Sequence, residues 1–153
     1  MSVPTIPPDR ISVPGTTGER AAHVELRLAA DLTWVPVARA VAAELAMRAD
    51  FDLDAIADFR LAVDEACASM MQLAAPGSHV TCRFQVDADE LQVQVSTLSA
   101  RADALGRQSF GWQLLTALTD AADASVAPPS VGHAGRELRI DLVKRRAPTV
   151  GAR

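Results

Sequence analysis

Aromatic residues are scarce in this 153-residue sequence: they make up 4% of the chain, and tyrosine is absent. Proteins that bind single-stranded nucleic acid stack bases on aromatic side chains, so this composition argues against such a platform. A surplus of positive charge is missing as well, because 15 lysine and arginine residues stand against 19 aspartate and glutamate residues, for a net charge of −4. Without a global excess of positive charge, direct binding to DNA or RNA is not expected.

Long apolar runs are also missing. No stretch approaches the roughly 20 apolar residues that a membrane-spanning helix needs, and no apolar segment follows a basic start as in a secretory leader. Cysteine is rare, and Cys67 and Cys82 are too few for a disulfide framework. Both fall in apolar patterns, which predicts that the two thiols are buried and reduced. Together with the lack of a leader or a membrane-spanning run, this predicts a cytoplasmic protein that makes no contact with a membrane.

Composition and periodicity divide the chain into three parts. Residues 1–20 are rich in proline and glycine with few large apolar groups, which predicts a disordered N-terminal arm. Residues 21–146 carry the apolar periodicity of one folded domain, and residues 147–153 are expected to form a flexible tail. Within the domain, the period changes between two and about 3.6 residues and predicts the order β-α-α-β-β-α-β-β, with a loop before the third helix.

The predicted strands alternate strictly between apolar and polar residues, so one face of their sheet is expected to be covered. Helical periodicity covers about residues 31–50, 54–73 and 109–123. The apolar stripe of the first helix is predicted to comprise Trp34, Val37, Ala38, Val41 and Leu45. The fold class is therefore α/β (α+β): a two-layer sandwich in which three helices cover one face of a mixed, mostly antiparallel sheet.

Polar side chains interrupt the apolar second helix in the segment RLAVDEACASMM, residues 60–71. Glu65 and Ser69 are four positions apart and therefore share one face of the helix. Periodicity alone favours a polar helix edge. A carboxylate beside a hydroxyl can also serve a reaction site, and the order of the elements makes this second interpretation worth pursuing.

That order, together with three segments, resembles the GHKL ATPases of the histidine-kinase-like (Bergerat) fold. The resemblance is closest to the RsbW/SpoIIAB anti-sigma factors, especially their actinobacterial anti-sigma-F members. DFRLAVDEACASMM is similar to the family's E-L-R-L-A-V-x-E-A-x-x-N-A helix. SFGWQLLTALTDAADAS resembles its G-x-G-L-x-L-I-x-x-L-x-D-x-V segment, and AGRELRIDLVKR resembles its closing G-G-T-x-V-R-L-x-K strand. The resemblance implies a histidine-kinase-like ATPase domain over residues 21–146.

The resemblance implies a nucleotide site in which Glu65 is the catalytic general base or water orienter. Ser69 stands where the family has the asparagine that helps to hold Mg²⁺, and its hydroxyl is a shorter metal ligand. Ser109 and Gly111 would meet phosphate at the start of the third helix, with one of the two family glycines retained. Arg136 replaces a threonine near the adenine. Because the stretch STLSARADALG also lacks the family's Asp-x-Gly-x-Gly motif, weak binding of ATP and Mg²⁺ is expected.

The resemblance also implies protein partners. The family's first helix carries an arginine that pairs with an acidic group on a sigma factor, and the matching residue here is Arg39, off the predicted apolar stripe. The expected function is that of a homodimeric anti-sigma factor that sequesters an alternative stress or developmental sigma factor. A STAS-domain anti-anti-sigma factor would control its release. Two alternatives stay open: an active serine kinase that phosphorylates the STAS antagonist, and a stand-alone nucleotide-sensing module without a sigma partner.

Overall fold

The computed structural model describes residues 22–101, 106, 109–129, 131–132 and 135–147. The N-terminal arm predicted for residues 1–20 lies outside the described residues. So do residues 148–153 of the predicted tail and most of the loop predicted before the third helix, residues 102–105 and 107–108. The boundaries proposed for the arm, the domain and the tail therefore stay predictions.

The described residues form strands and helices in the predicted order. The strands are β1 (Ala22–Ala29), β2 (His79–Val86), β3 (Glu90–Ser99), β4 (Ala121–Val126) and β5 (Arg136–Arg145). The α-helices are α1 (Val35–Arg48), α2 (Leu53–Leu73) and α3 (Phe110–Leu118), and a short 3-10 turn, Leu32–Trp34, precedes α1. No helix in the described part of the chain is long and apolar enough to cross a membrane.

The five described strands form one sheet in the order β1-β2-β3-β5-β4. Every pair of neighbours among them is antiparallel, so the sheet is mostly antiparallel as predicted, and the described strands contain no parallel pair that would make it mixed. Because successive side chains of a strand point to opposite faces of the sheet, each central strand places one row of side chains against the helices, as the sequence predicts. The buried members of these rows are Val80, Cys82, Phe84, Val86, Leu91, Val93, Val95, Leu138, Ile140 and Leu142.

Helix α2 is the centre of the helical layer and packs against both α1 and α3. It begins where the side chain of Asp52 accepts a hydrogen bond from the backbone N–H of Ala55 at 2.8 Å, as an N-cap should. Its buried face includes Phe59, whose ring meets the ring of Phe84 edge-on with centroids 6.4 Å apart. Three helices on one face of an antiparallel sheet confirm the predicted two-layer α+β sandwich.

The buried face of α1 differs from the predicted stripe. Trp34 and Val37 belong to the predicted stripe but are 48% and 38% exposed. The face of α1 that packs against the rest of the protein is rotated away from this stripe and consists mostly of small side chains. The buried residues of this helix are Val35, Ala38, Ala42, Leu45 and Ala46. Alanines let the backbone of α1 lie close to α2, a feature that counting large apolar residues does not detect. Trp34 belongs to the 3-10 turn before the helix, which also takes it out of helical phase.

Helix α3 is shorter than predicted and ends at Leu118. The next residues pair with β5: the backbone N–H of Asp120 donates to the carbonyl oxygen of Val143 at 2.9 Å, and Ala121 already lies opposite Val143. Lys144 donates through Nζ to the Leu118 carbonyl oxygen at 3.1 Å, which satisfies one of the carbonyls freed at the helix end. Strand pairing thus overrides the helical propensity of the alanines in this segment.

Candidate functional site

A cavity of about 210 Å³ lies between α2, the start of α3 and the sheet. Four of the five residues predicted to bind nucleotide, namely Glu65, Ser69, Ser109 and Gly111, line it. The other lining residues are Gln72, Leu73, Gly106, Trp112, Leu115 and Ile140. Residues from positions 65 to 111 of the chain therefore meet at one site, as the resemblance implied.

Glu65 and Ser69 project into this cavity from consecutive turns of α2. The hydroxyl of Ser69 donates to Oε1 of Glu65 at 3.3 Å, and both residues are partly buried. A carboxylate in this position can accept a proton from a hydroxyl or orient a water molecule, which is the chemistry expected of a general base. The predicted pair on one helix face is therefore present.

Ser109 acts as the N-cap of α3, which has nine residues. Its Oγ atom accepts a hydrogen bond from the backbone N–H of Trp112 at 3.1 Å and donates to the carbonyl oxygen of Gly106 at 3.0 Å. A hydroxyl has one proton to donate, and Gly106 receives it. In this conformation Ser109 holds the start of the helix and offers no further donor to a phosphate.

Gly111 lies against the carboxylate of Glu65. A Cβ atom built on Gly111 would lie 2.3 Å from Oε1 and 3.3 Å from Cδ of Glu65. Only glycine leaves room for this approach of the carboxylate to the first turn of α3. The first turn of a helix carries free N–H groups and partial positive charge, so it is a favourable place for an anion. Glu65 therefore lies beside the end of α3 that the resemblance assigns to phosphate.

Arg136 does not line this cavity. It is exposed at the start of β5, opposite Ser99, and its Nε atom donates to the carbonyl oxygen of Ala127 at 3.0 Å. The described structure thus brings together Glu65, Ser69, Ser109 and Gly111 but not Arg136. The nucleotide role predicted for Arg136 has no geometric support in this conformation.

The side-chain oxygens at the cavity are too few to hold a Mg²⁺ ion without other ligands. Mg²⁺ requires near-octahedral oxygen coordination, and besides Glu65 the described lining residues that carry a side-chain oxygen are Ser69, Gln72 and Ser109. Within the described ranges, no group of three or more His, Cys, Asp or Glu side chains is arranged to hold a metal ion. Most of the ligands would have to come from the nucleotide and from water.

Arg39 lies on α1, off its buried face, as predicted. It is not unpaired, however: Nη1 lies 3.2 Å from Oδ1 of Asp64 on α2, and the two side chains are 44% and 30% exposed. No local pattern in the sequence indicates this pair, because residues 39 and 64 belong to different helices. Asp64 directly precedes Glu65, so neighbouring residues of α2 point to the arginine on one side and to the cavity on the other.

Comparison with known proteins connects this geometry to a family. Residues 28–129 match the family described as "Histidine kinase-like ATPase domain". The chain is also 36% identical over 126 residues to the anti-sigma-F factor RsbW of Mycobacterium tuberculosis, in strains CDC 1551 / Oshkosh and ATCC 25618 / H37Rv. The aligned region covers 81% of this chain and 74% of each relative. The family match includes Arg39 and every lining residue of the cavity except Ile140.

Proposed function

This chain belongs to the histidine kinase-like ATPase family as an RsbW-type anti-sigma factor, and from this premise we propose that it binds and sequesters an alternative sigma factor. The observation that carries the proposal is the half-exposed guanidinium of Arg39, held at the surface between α1 and α2 by Asp64. Sequestration would keep the sigma factor away from RNA polymerase and so silence the genes it serves. Because sigma factors act with RNA polymerase, the proposal puts the chain in the cytoplasm.

The geometry around Arg39 suits recognition of an acidic group. A guanidinium has several N–H donors in one plane and can bind two carboxylates at once. Asp64 contacts Nη1 of Arg39, and the arginine side chain remains 44% exposed. A carboxylate of the partner can therefore approach the other N–H donors of the guanidinium. Asp64 also restricts the rotamers of the long arginine side chain before the partner arrives, which lowers the entropy lost on binding.

Release of the sigma factor is proposed to depend on competition by a STAS-domain anti-anti-sigma factor. The chain is expected to act as a homodimer, as the resemblance to the RsbW/SpoIIAB anti-sigma factors implies. Neither partner needs ATP chemistry in order to bind, so sequestration remains available even where the nucleotide site departs from the family pattern.

We propose that nucleotide binding is weak. The cavity of about 210 Å³ is smaller than the roughly 300–1,000 Å³ typical of small-molecule sites. The carboxylate of Glu65 lies at the start of α3, where it would repel a phosphate, and Ser109 has its proton committed to Gly106. These three features oppose tight binding even though free N–H groups at the start of a helix favour anions.

The second candidate function is an ATP-dependent serine kinase that phosphorylates the STAS antagonist. The observation that favours it is the carboxylate of Glu65 facing a cavity beside α3, because such a carboxylate can accept the proton of an attacking serine hydroxyl. Transfer of radiolabelled phosphate to the antagonist separates the two candidates. We expect slow or absent transfer, and a Ser69→Asn variant that restores the family's amide should be faster. Rapid transfer by the unaltered chain would make the kinase the better proposal.

The sigma-binding proposal is tested by affinity capture from lysate of the source organism. Three forms of the full chain serve as bait: the unaltered chain, Arg39→Glu and the control Arg48→Glu. Arg48 also lies on α1 in an ion pair, with Glu44, but its side chain is 74% exposed. Peptide identification should find a sigma factor with the unaltered chain and the control and not with Arg39→Glu. Absence of any sigma factor would instead favour the nucleotide-sensing module.

A further inference from the structure

Cys67 of α2 and Cys82 of β2 meet where the helical layer packs on the sheet. Their Sγ atoms are 3.4 Å apart, and neither side chain has any solvent exposure. Neither residue lines the cavity or contacts Arg39, so the proposed function does not use them. We propose that the pair is a covalent modification site, which a small, uncharged two-electron oxidant of the hydrogen peroxide class converts into an intramolecular disulfide.

The geometry requires only a small movement. A disulfide has a sulfur–sulfur distance of about 2.05 Å, so the two sulfur atoms need to approach each other by about 1.4 Å. Both residues belong to elements that already pack against each other in the folded chain, so no segment has to unfold to bring them together. The nearest reaction partner for an oxidised sulfur at either position is therefore the other cysteine.

The reaction balances in two steps. The sulfur of one cysteine attacks a peroxide oxygen, an S–O bond forms as the O–O bond breaks, and the products are a sulfenic acid and water. The sulfur of the other cysteine then attacks the sulfenic sulfur, forming the S–S bond and releasing a second water. Two thiols are oxidised by two electrons in total, one peroxide is reduced, and both thiol protons end in water.

Burial selects the oxidant and sets the rate. The hydrogen bond with Cys82, together with desolvation, raises the pKa of the Cys67 thiol, and the nearby Asp64 carboxylate acts in the same direction. Because the thiolate is the reactive form, the reaction is slow at neutral pH and records sustained oxidant exposure. Hydrogen peroxide is close to water in size, whereas glutathione disulfide is large and charged and cannot reach a sulfur with no exposed surface.

The disulfide would act on the helix that carries the rest of the site. Cys67 lies between Glu65 and Ser69 on α2, and the bond would fix this part of the helix to β2. It would also close a loop of about 15 residues in the unfolded chain, which raises the melting temperature in the chain-entropy description. Oxidation thus has a readout in stability as well as in mass.

The test uses the purified full chain, reduced and then freed of reductant. After incubation with hydrogen peroxide, the protein is unfolded, alkylated and weighed intact. We expect each chain to lose about 2 Da and to take up no alkylating agent, with no disulfide joining two chains under denaturing conditions. The melting temperature should rise by about 5 °C or more and return when dithiothreitol is added. Glutathione disulfide should act at least about tenfold more slowly than peroxide.

The variants Cys67→Ala and Cys82→Ala are the matched controls, because each retains one thiol and cannot form the bond. Neither should lose the 2 Da mass nor gain melting temperature on peroxide treatment. The proposal is overturned if the unaltered chain takes up oxygen as sulfinic acid, dimerises through sulfur, or stays reduced after prolonged exposure. An equal gain in melting temperature in either variant would also overturn it. Should the variants fold poorly, the mass of the unaltered chain decides by itself.

Discussion

The carboxylate of Glu65 comes so close to the first turn of α3 that Oε1 lies 2.3 Å from the position of a Cβ atom on Gly111. The free N–H groups of a helix start attract anions, and the carboxylate of Glu65 lies next to this helix start. A nucleotide phosphate that approaches the first turn of α3 has to displace this carboxylate or bind beside it. The position of Glu65 therefore bears on phosphate binding as well as on the catalytic role that the resemblance implies.

Neutralising this carboxylate is expected to strengthen phosphate binding. In Glu65→Gln, the side chain keeps its shape and loses its charge, so repulsion of a triphosphate disappears. We expect the affinity for ATP without Mg²⁺ to rise by about threefold to tenfold, roughly 0.7–1.4 kcal/mol for a charge effect screened by solvent. Fluorescence titration at low ionic strength measures it. Glu44→Gln, on the exposed surface of α1, is the control and should change nothing; weaker binding by Glu65→Gln would contradict the prediction.

Two glycines at the cavity permit a matched test of the contact itself. A Cβ on Gly106 would meet no atom of the described residues within 4 Å, whereas a Cβ on Gly111 would displace the Glu65 carboxylate. Both alanine substitutions restrict the unfolded chain in the same way, by about 0.4–1 kcal/mol. Gly111 lies within α3, where alanine is favoured over glycine by up to about 1 kcal/mol, so without the contact Gly111→Ala would be the more stable variant in urea. Displacing the flexible Glu65 carboxylate should offset that gain, so the free energy of unfolding of Gly111→Ala is expected not to exceed that of Gly106→Ala. A free energy of unfolding higher by about 1 kcal/mol in Gly111→Ala would mean that Glu65 does not rest on α3 in solution.

Nucleotide binding should show little selectivity between bases. Trp112 lines the cavity, and Trp34, which is exposed, can be replaced by phenylalanine to leave one fluorescence signal. ATP and GTP should bind with similar, weak affinity, because the sequence lacks the family's adenine-reading aspartate motif. Mg²⁺ should help only modestly, since Ser69 is a short ligand. Tight, adenine-selective and Mg²⁺-dependent binding would show that another residue reads the base, and would favour the kinase.

The ion pair between Arg39 and Asp64 should matter more for partner affinity than for folding. Reversing the charge in Arg39→Glu is expected to weaken the sigma complex by more than about 2 kcal/mol in calorimetry, the size of a charged hot spot. Asp64→Asn keeps an oxygen that can accept the hydrogen bond from Arg39, and should weaken the complex by less than about 1 kcal/mol. The stability of the free chain should fall by about 1 kcal/mol or less in Asp64→Asn, because the pair is partly exposed to solvent. Unchanged affinity in Arg39→Glu would remove this residue from the interface.

Cys67 should give the reduced protein an alkaline limit of stability. Its pKa is raised by the hydrogen bond with Cys82 and by burial, so the folded chain keeps a proton that the unfolded chain releases. Below about pH 8.5, the thiol is protonated in the unfolded chain as well, and the full contribution of Cys67 to the free energy of unfolding is present. Above about pH 8.5, the free energy of unfolding falls by up to about 1.4 kcal/mol per pH unit, until the pH reaches the pKa of the Cys67 thiol in the folded chain. Urea unfolding of the unaltered chain and of Cys67→Ala, both reduced, measures the difference; superimposable pH profiles would contradict it.

Local patterns predicted the elements whose burial follows directly from periodicity. The alternation in β2, β3 and β5 reports the covered face of the sheet, and the second helix has a long apolar stripe, so both were predicted correctly. The end of α3 was not, because Ala121 joins β4 through pairing with Val143, which is distant in sequence. The packed face of α1 was misjudged because its alanines owe their burial to the close approach of α2.

In the candidate site, too, some features follow from local sequence patterns and others depend on contacts between residues distant in sequence. A four-residue spacing on one helix predicted the pair of Glu65 and Ser69, and the resemblance predicted that α3 would meet it. The contact of Gly111 with Glu65 and the ion pair of Arg39 with Asp64 depend on how helices approach each other in space. No local pattern encodes such distances, which is why the sequence assigned Gly111 to phosphate alone and left Arg39 unpaired.

The adjacency of Asp64 and Glu65 on α2 has a thermodynamic consequence. Neighbouring helical residues point about 100° apart, so α2 contacts Arg39 on one side and lines the cavity beside α3 on the other. A ligand that rotates or shifts α2 at the cavity changes the surface that holds Arg39, and the two binding equilibria are then coupled. Such coupling is reciprocal: whatever factor a nucleotide applies to sigma-factor affinity, the sigma factor must apply to nucleotide affinity.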